Sequence, residues 1–199
     1  MFQLWHKTMK ALYDWATRMT HSSYAIPVLI AVSFTESSFF PIPPDILLIP
    51  LILIRRTEAF KIALYCTIAS VIGGYFGYFI GAVLYDTIGI WLLEKYHYVE
   101  QFTRFCQYYN EYGAWIVFGA GITPFPYKIV TIASGVTQLN LITFTLASII
   151  ARGMRFFLIA WLLYKYGKPM KDFIEKNLGW LSIVFLILLV GSFYLIKYL

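Results

Sequence analysis

Apolar runs long enough to cross a membrane alternate along the chain with shorter polar and basic segments. The runs at residues 62–85 and 178–196 contain no charged residue, and each approaches the roughly 20 residues that a helix needs to span the hydrocarbon core. A run of similar length at residues 142–163 contains two arginines. The pattern predicts an all-α integral membrane protein in which these three runs are transmembrane helices, the last being C-terminal.

Two further apolar stretches are broken near their centres by prolines. The breaks contain Pro41, Pro43 and Pro44 within residues 24–54, and Pro124 and Pro126 within residues 114–139. Proline removes a backbone donor and ends a helix at about the preceding residue, so each stretch predicts two half-helices around an unwound turn. We expect both stretches to be re-entrant helical hairpins, each followed by a transmembrane helix.

The two broken stretches occupy corresponding positions in the two halves of the chain. A shift of 83 residues places Pro41 on Pro124, Pro43 on Pro126 and Asp45 on Lys128. The same shift superposes the runs that follow the breaks. Paired interruptions in corresponding halves are typical of transporters whose site lies near the bilayer midplane. The sequence therefore predicts an inverted repeat of two opposed hairpins, with a site between their tips.

The other segments predict amphipathic helices within a single domain. Residues 1–20 and residues 90–111 each gather apolar side chains on one helical face and charged side chains on the other, which is typical of helices that lie in the membrane interface. The length allows one membrane domain over residues 1–199. Its predicted parts are an interfacial helix at 1–23, the first hairpin and span at 24–86, an interfacial helix at 87–112, the second hairpin and span at 113–168, and the last span at 169–199.

Basic residues are concentrated on one side of this topology. With both broken stretches as hairpins, ten lysines and arginines lie on the side of the amino terminus and three lie on the opposite side. Cytoplasmic segments carry the excess of lysine and arginine, so we expect the amino terminus in the cytoplasm and the carboxyl terminus outside. Two complete crossings in place of two hairpins would keep this orientation, so the charge bias does not by itself establish the hairpins.

Five ionisable residues lie inside the apolar stretches. They are Glu36, Asp45, Lys128, Arg152 and Arg155. Charged groups at membrane depth are costly, so they commonly pair with one another or mark a functional site. Arg152 and Arg155 share one helix face, where pairing with Glu36 or Asp45 and binding of a ligand are compatible roles. Because opposed hairpins bring their tips together, we also expect Asp45 and Lys128 to compensate one another, with Glu36 as the more proton-responsive group.

A stripe of glycines marks the predicted span at residues 62–85. Gly73, Gly77 and Gly81 recur there every four residues. Since small residues let helices approach closely in lipid, the stripe predicts a close helix contact. Ordinary glycine usage in membrane helices is the alternative interpretation.

The composition narrows the chemistry. Charged residues make up 13% of the chain and hydrophobic residues 60%, whereas a soluble domain carries about 25% charged residues. Cys66 and Cys106 indicate no disulfide framework, and the sequence shows neither a cluster with metal-ligand spacing nor a nucleophile beside a base. We therefore expect no metal, no cofactor, no enzymatic activity and no nucleic-acid partner.

Two segments carry a family resemblance: FTESSFFPIPPD, and ITPFPYK followed by ASGVTQLNLITF. They resemble the DedA family of bacterial membrane proteins, the VTT or SNARE-associated domain group. The likeness covers about residues 25–165 and is greatest to the small YqaA-like branch. Gly135, Leu139 and Phe144 match the family's spacing of a glycine, an aliphatic and an aromatic residue. The resemblance thereby adds Gly135 to the glycines expected at helix contacts.

The charged positions match the family in part. Glu36 and Asp45 fall where the family has its membrane acidic residues. Members commonly carry an arginine three residues before the proline that corresponds to Pro124, and here that position is Gly121. Lys128 is the candidate to supply the positive charge instead.

The resemblance implies two opposed re-entrant hairpins and a function in moving or scrambling lipids across the bacterial inner membrane, in support of membrane and envelope homeostasis. Polyprenyl-phosphate carriers are among the implied substrates, with a link to the proton gradient. Arg152, Arg155 and Lys128 are the candidates to bind an anionic headgroup. Glu36 and Asp45 are the candidates to exchange protons, since burial favours a neutral carboxyl and nearby cations favour a charged one.

Two other functions stay open at this stage. A small-solute or ion transporter would use the same inverted repeat. A non-transporting assembly factor would explain the glycine stripe and the interfacial helices, but it would leave the five ionisable residues unexplained. The sequence does not decide the lipid, the direction of its movement or the oligomeric state.

Overall fold

The structure is a computed structural model that describes residue 22, residues 24–40, 42–123 and 125–167, and residue 169. The predicted interfacial helix at residues 1–20 and the predicted last span at residues 178–196 lie outside the described residues. Pro41 and Pro124 lie outside them too.

The described part of the chain is helical and contains no strand, which confirms the predicted all-α class. Its helices are α1 (Ala25–Ser38), α2 (Asp45–Ile54), α3 (Ala59–Leu84), α4 (Ile90–Tyr96), α5 (Val99–Ile122), α6 (Tyr127–Val136) and α7 (Leu141–Gly167). A 3-10 turn at Arg56–Glu58 precedes α3, and a π-helical turn at Tyr85–Gly89 follows it.

Two helical segments of the described chain are long and apolar enough to cross a bilayer. They run over Arg56–Gly89 and Leu141–Gly167 and correspond to the apolar runs at residues 62–85 and 142–163. Their outer faces expose large apolar side chains, such as Phe79 at 62% and Ile142 at 69% of their surface. Contiguous apolar surface of this kind suits contact with lipid or with another protein.

Prolines separate the helices where the sequence predicts breaks. We call the segment between α1 and α2 the first break and the segment between α5 and α6 the second break. Pro44 directly precedes α2 with φ −64°, and Pro126 directly precedes α6 with φ −61°. Proline suits this position because its fixed φ is close to the helical value and the first helical amides need no partner within the helix.

One helix crosses the predicted boundary between an interfacial helix at 87–112 and a hairpin arm from residue 113. Helix α5 runs through it without interruption, and the chain bends earlier, at His97, whose φ of 58° is left-handed. Gly113 does not stop the helix. It makes room for a neighbour, since a Cβ there would lie 2.4 Å from Leu139 Cδ1.

Helix α3 packs against both α1, which leads into the first break, and α6, which follows the second break. Ser33 of α1 contacts Cys66, and Ser38 contacts Gly73, so α1 runs parallel to the first half of α3. Helix α6 runs parallel to its second half. A Cβ added at Gly77 would lie 2.3 Å from Thr131 Oγ1, and one added at Gly135 would lie 1.9 Å from the Tyr78 carbonyl oxygen. These close approaches establish the direction of α6. The two short helices therefore follow one another along α3.

Helix α7 runs antiparallel to α3 and closes the bundle. Near one end Tyr75 bonds to Thr145, and at the other end Arg56 donates to the carbonyl oxygens of Tyr164 and Lys165 at 2.6 and 2.9 Å. One buried core joins α1, α2, the start of α3 and the end of α7. A second core joins α5, α6 and the start of α7. Phe125 of the second break belongs to the second core.

Backbone contacts replace side chains at the glycine stripe. A Cβ at Gly73 would lie 2.1 Å from the Phe34 carbonyl oxygen, and one at Gly81 would lie 2.0 Å from the Ile132 carbonyl oxygen. Real Cβ atoms do not approach carbonyl oxygens so closely, so these positions admit no side chain without displacement of a helix. Within the stripe, Gly73 faces α1 and Gly81 faces α6.

Gly81→Ala should destabilise the protein, because the added Cβ has no room against α6. Overpacking typically costs about 1–3 kcal/mol, and each kcal/mol lowers the unfolding temperature by roughly 2–4 °C in a chain of this size. Gly119→Ala is the matched control, since nothing lies within 4 Å of its Cβ position and alanine has the higher helix propensity. Equal unfolding temperatures of the two variants in detergent would contradict the close contact.

Candidate functional site

The five ionisable residues of the apolar stretches lie around the two breaks, and we call them the central cluster: Glu36, Asp45, Lys128, Arg152 and Arg155. Arg152 projects from the middle of α7 and is 1% exposed. Its Nη2 atom lies 2.7 Å from Glu36 Oε2, and its Nε atom donates to Ser70 Oγ at 2.7 Å. The guanidinium thus joins α7 to α1 and α3.

Two aromatic rings enclose the Arg152 guanidinium. Its carbon Cζ lies 4.9 Å from the centre of the Tyr127 ring and 4.7 Å from the centre of the Phe156 ring. The Tyr127 hydroxyl is itself held by a hydrogen bond to Ser148. A cation over an aromatic face is attracted by the ring quadrupole, and arginine suits this stacking better than lysine does. Hydrogen bonds and two rings therefore fix this arginine in place.

Arg155 connects the two breaks. Its Nη2 atom pairs with Asp45 Oδ2, at the start of α2, and its Nη1 atom donates to the Thr123 carbonyl oxygen, at the end of α5, at 2.9 Å. The side chains of Arg155 and Asp45 are 15% and 18% exposed. The other carboxylate oxygen, Asp45 Oδ1, is buried and has no hydrogen-bond partner among the described residues. The Asp45 carboxylate is therefore only half satisfied.

Lys128 lies beside the first break, and its position corrects the expected pairing with Asp45. Lys128 Nζ donates to the Phe39 carbonyl oxygen at 3.4 Å, and the ion pairs among the described residues do not include it. Asp45 pairs with Arg155 instead. The planar guanidinium presents several donors in a fixed fork, so it can hold the carboxylate and the Thr123 carbonyl at once, which an ammonium on a flexible stem does less well.

Hydroxyl groups that the sequence reasoning missed complete the site. Ser37 and Ser70 are fully buried, and their Oγ atoms are 2.7 Å apart. Thr131 Oγ1 donates to the Ser37 carbonyl oxygen at 2.9 Å. The sequence does hold a signal for the first of these, because Ser33 and Ser37 are four residues apart and so lie on one face of an otherwise apolar helix.

The structure also explains the glycine at position 121. A Cβ at Gly121 would lie 2.5 Å from the Cβ atom of Ala151. Helix α5 therefore contacts α7 without a side chain at this position, and an arginine there would push the two helices apart. Arg155, one turn beyond Ala151 on α7, provides the cation that contacts the end of α5.

No group of three or more histidine, cysteine, aspartate or glutamate side chains is placed to hold a metal ion in the part of the chain that the structure describes. The arrangement brings together two arginine–carboxylate pairs and a lysine. It can pair charges and bind an anion.

Comparison with known families shows to which family the chain belongs. Residues 42–165 match the VTT domain, which is more than half of the chain. The chain belongs to the VTT-domain family, also called DedA. The VTT domain begins in the first break and ends near the end of α7, so it includes Asp45, Lys128, Arg152 and Arg155. Glu36 lies just before it.

Curated relatives extend the likeness over nearly the whole chain. An uncharacterized protein of Haemophilus influenzae is 33% identical over 194 residues, which are 96% of this chain and 99% of the relative. An uncharacterized protein of Histophilus somni is 37% identical over 188 residues, covering 92% of this chain and 97% of the relative. No solved structure matches this VTT-domain protein.

Arg152→Met should destabilise the protein strongly, because the Glu36 side chain, 12% exposed, would lose its cation. Removal of one partner of a buried pair typically costs about 3–5 kcal/mol, and removal of both is much less harmful. The double variant with Glu36→Gln should therefore recover much of the loss when thermal unfolding is followed in detergent.

The exposed pair of Arg104 and Glu100 provides the control. It has the same 2.7 Å separation, but both side chains are 76% exposed, so Arg104→Met should change stability by less than about 1 kcal/mol. Similar losses in Arg152→Met and Arg104→Met, or no recovery in the double variant, would show that burial of the pair does not matter.

Proposed function

We propose that this DedA-family protein moves lipids with an anionic headgroup, such as a phospholipid or a polyprenyl phosphate, across the bacterial inner membrane. The observation that carries the proposal is the charge of the central cluster. Arg152 is paired with Glu36, and Arg155 with Asp45. Lys128 adds a positive charge that no carboxylate of the described residues offsets.

The surroundings of Lys128 favour a lipid as the source of the missing anion. Phe39 and Phe40 of the first break are 55% and 42% exposed, and Ile129 beside Lys128 is 42% exposed. A lysine at membrane depth is costly unless it meets an anion, a carbonyl or water. A molecule that combines a phosphate with apolar chains would offset the charge and cover the apolar side chains together.

The cations of the cluster take different roles in this proposal. Lys128 is the first contact of the phosphate, because its bond to the Phe39 carbonyl is long. Arg155 is the second contact, since it is partly exposed and arginine binds phosphate in a bidentate manner. Arg152, the third candidate ligand from the sequence, is enclosed by rings and hydrogen bonds, so we assign it the role of holding Glu36.

Glu36 and Asp45 are the proposed proton-coupling groups. A proton on Asp45 would remove the charge that holds Arg155, and the unpartnered Asp45 Oδ1 is where that proton would be carried. Arg155 would then be free to turn to the headgroup. Proton uptake and headgroup binding would thereby be linked through one arginine.

We further propose that the two broken stretches are re-entrant hairpins that enter from opposite faces as an inverted repeat. Helices α1, α2 and α6 have 14, 10 and 10 residues, fewer than the roughly 20 needed to cross the hydrocarbon core. Their placement along opposite halves of α3 supports hairpins that meet near the midplane.

Charge asymmetry supports an orientation for this arrangement. The described charged residues near the start of α3 and the end of α7 are mainly basic, namely Arg55, Arg56, Glu58, Lys61 and Lys165. Those from the π-helical turn to the middle of α5 are mainly acidic, namely Asp86, Glu94, Lys95, Glu100, Arg104 and Glu111. The positive-inside rule places the basic end in the cytoplasm. The amino terminus would then be cytoplasmic and the carboxyl terminus external.

Lys128→Met should slow headgroup movement by roughly tenfold or more, as expected when a charge-assisted contact is lost. The measurement is the exposure of headgroup-labelled lipids to an external quencher in proteoliposomes, with phosphatidylglycerol and phosphatidylcholine probes compared, with and without a pH gradient. Lys61→Met is the control, since Lys61 lies at the basic end and contacts the Tyr65 ring. Asp45→Asn should abolish any response to the gradient.

Three results would contradict the lipid proposal. They are equal movement of both probes, equal rates in the two lysine variants, and uptake of small solutes by vesicles that move no lipid. The last result would favour a solute transporter built on the same cluster.

The hairpins predict which residues are reached from the same side of the membrane. In a variant without Cys66 and Cys106, single cysteines at Tyr24 and Thr57 should react with an impermeant reagent from the cytoplasmic side. A cysteine at Glu100 should react from the other side. Labelling of Tyr24→Cys and Thr57→Cys from opposite sides would show that the first broken stretch crosses the membrane.

A further inference from the structure

Three serines of α1 face α3, and they differ in what they bind. Ser33 donates to the Cys66 carbonyl oxygen and Ser38 to the Gly73 carbonyl oxygen, both at 2.8 Å. These two serines bind backbone and hold the helices together. Ser37 instead contacts the side chain of Ser70, with 2.7 Å between the Oγ atoms.

The Ser37–Ser70 contact closes a ring of hydrogen bonds with Arg152 and Glu36. Arg152 donates from Nε to Ser70 Oγ and from Nη2 to Glu36 Oε2, each at 2.7 Å. Ser37 donates to the same Glu36 oxygen at 3.3 Å. A hydroxyl has one hydrogen to donate, and that of Ser37 goes to Glu36, so Ser70 must donate to Ser37. Both paths around the ring start at the guanidinium and end on the carboxylate.

We propose that Ser37 and Ser70 are positioning residues of the central cluster, which fix the Arg152 guanidinium against the Glu36 carboxylate. Both serines are 0% exposed, so water does not replace their hydrogen bonds. Hydrogen bonds to a charged acceptor are roughly twice as strong as those to a neutral one. The ring is therefore strongest while Glu36 is ionised.

Other charged and titratable groups surround Glu36 without forming this ring. Arg155 on α7, Tyr127 on α6 and Cys66 on α3 interact with it electrostatically, and Asp45 on α2 reaches the cluster through Arg155. Among the described residues, the Glu36 carboxylate accepts hydrogen bonds from Arg152 and Ser37. The serines are thus the groups whose removal changes the ring and leaves every charge in place.

The test is the pH dependence of thermal unfolding of the full chain in detergent. Ser37→Ala and Ser70→Ala should each lower the unfolding temperature by roughly 2–4 °C or more at neutral pH. The loss should shrink on acidification, because the hydroxyls contribute most while Glu36 is ionised and less as falling pH protonates it. This measurement does not depend on the proposed function.

Ser33→Ala is the matched control. Ser33 lies one helical turn before Ser37 on the same face and is equally buried, but its hydrogen bond ends on a neutral carbonyl. Its loss should therefore be similar at neutral and acidic pH. In a Glu36→Gln background, the pH dependence of the Ser37→Ala and Ser70→Ala losses should disappear.

Two results would overturn the positioning role. One is the same pH-independent loss in Ser37→Ala and Ser33→Ala, and the other is a pH dependence that persists with Glu36→Gln. If the alanine variants do not purify, Ser37→Cys and Ser33→Cys retain a weaker donor, and the same contrast between them is required.

Lipid movement in proteoliposomes gives a second readout that rests on the proposed function. The acid side of the pH profile should move in Ser37→Ala and not in Ser33→Ala. Unmoved profiles in both variants would contradict a role of the serines in transport. A protein that moves no lipid, yet shows the pH-dependent difference in unfolding, would refute the proposed function and keep the positioning role.

Discussion

Every carbonyl that a helix break frees inside an apolar bundle must find a donor, because the hydrocarbon core offers no water in exchange. The prolines of the two broken stretches create such carbonyls, and side chains from the opposite half of the chain satisfy them. Thr131 donates to Ser37, Lys128 to Phe39, and Arg155 to Thr123. Two cations of the central cluster, Lys128 and Arg155, therefore also satisfy backbone carbonyls at the breaks.

This constraint gives two of the cations a double role. Lys128 and Arg155 hold backbone carbonyls at the breaks, and the same two side chains are the ones we propose for an anionic headgroup. A ligand that attracts either of them would also release a carbonyl. Binding and loosening of the breaks would then be one event, which is what a site in a moving protein requires. Arg152 has no such double role, since two aromatic rings and the Ser70 hydroxyl enclose its guanidinium.

The sequence predicted the elements better than it predicted their contacts. Apolar length gave the two spans, and prolines gave the two breaks, because both signals depend on local chemistry. The continuity of α5 was missed since the sequence changes from an amphipathic to an apolar pattern near residue 113, although the helix runs on to Ile122. The choice of Arg155 over Lys128 as the partner of Asp45 depends on side-chain reach across three helices.

The ring of hydrogen bonds that joins Ser37 and Ser70 to Arg152 and Glu36 was the least predictable part of the site. A serine in a membrane helix can bond to its own backbone or to a neighbouring helix, and Ser38 lies 2.8 Å from a carbonyl oxygen of each kind, those of Phe34 and Gly73. Sequence spacing places Ser33 and Ser37 on one face, but it does not tell which of them meets a backbone carbonyl and which meets Ser70. That difference arises from how α1 is aligned along α3.

The alignment of α1 and α6 along α3 also has an electrostatic consequence. The carbonyl end of α1 meets the amide end of α6, so the negative end of one helix dipole faces the positive end of the next. The two short helices behave electrically like a single helix interrupted at its centre. Lys128, in the first turn of α6, places its ammonium against the negative end of α1. An anion that binds Lys128, as proposed, would therefore have to compete with the dipole of α1 for its ammonium.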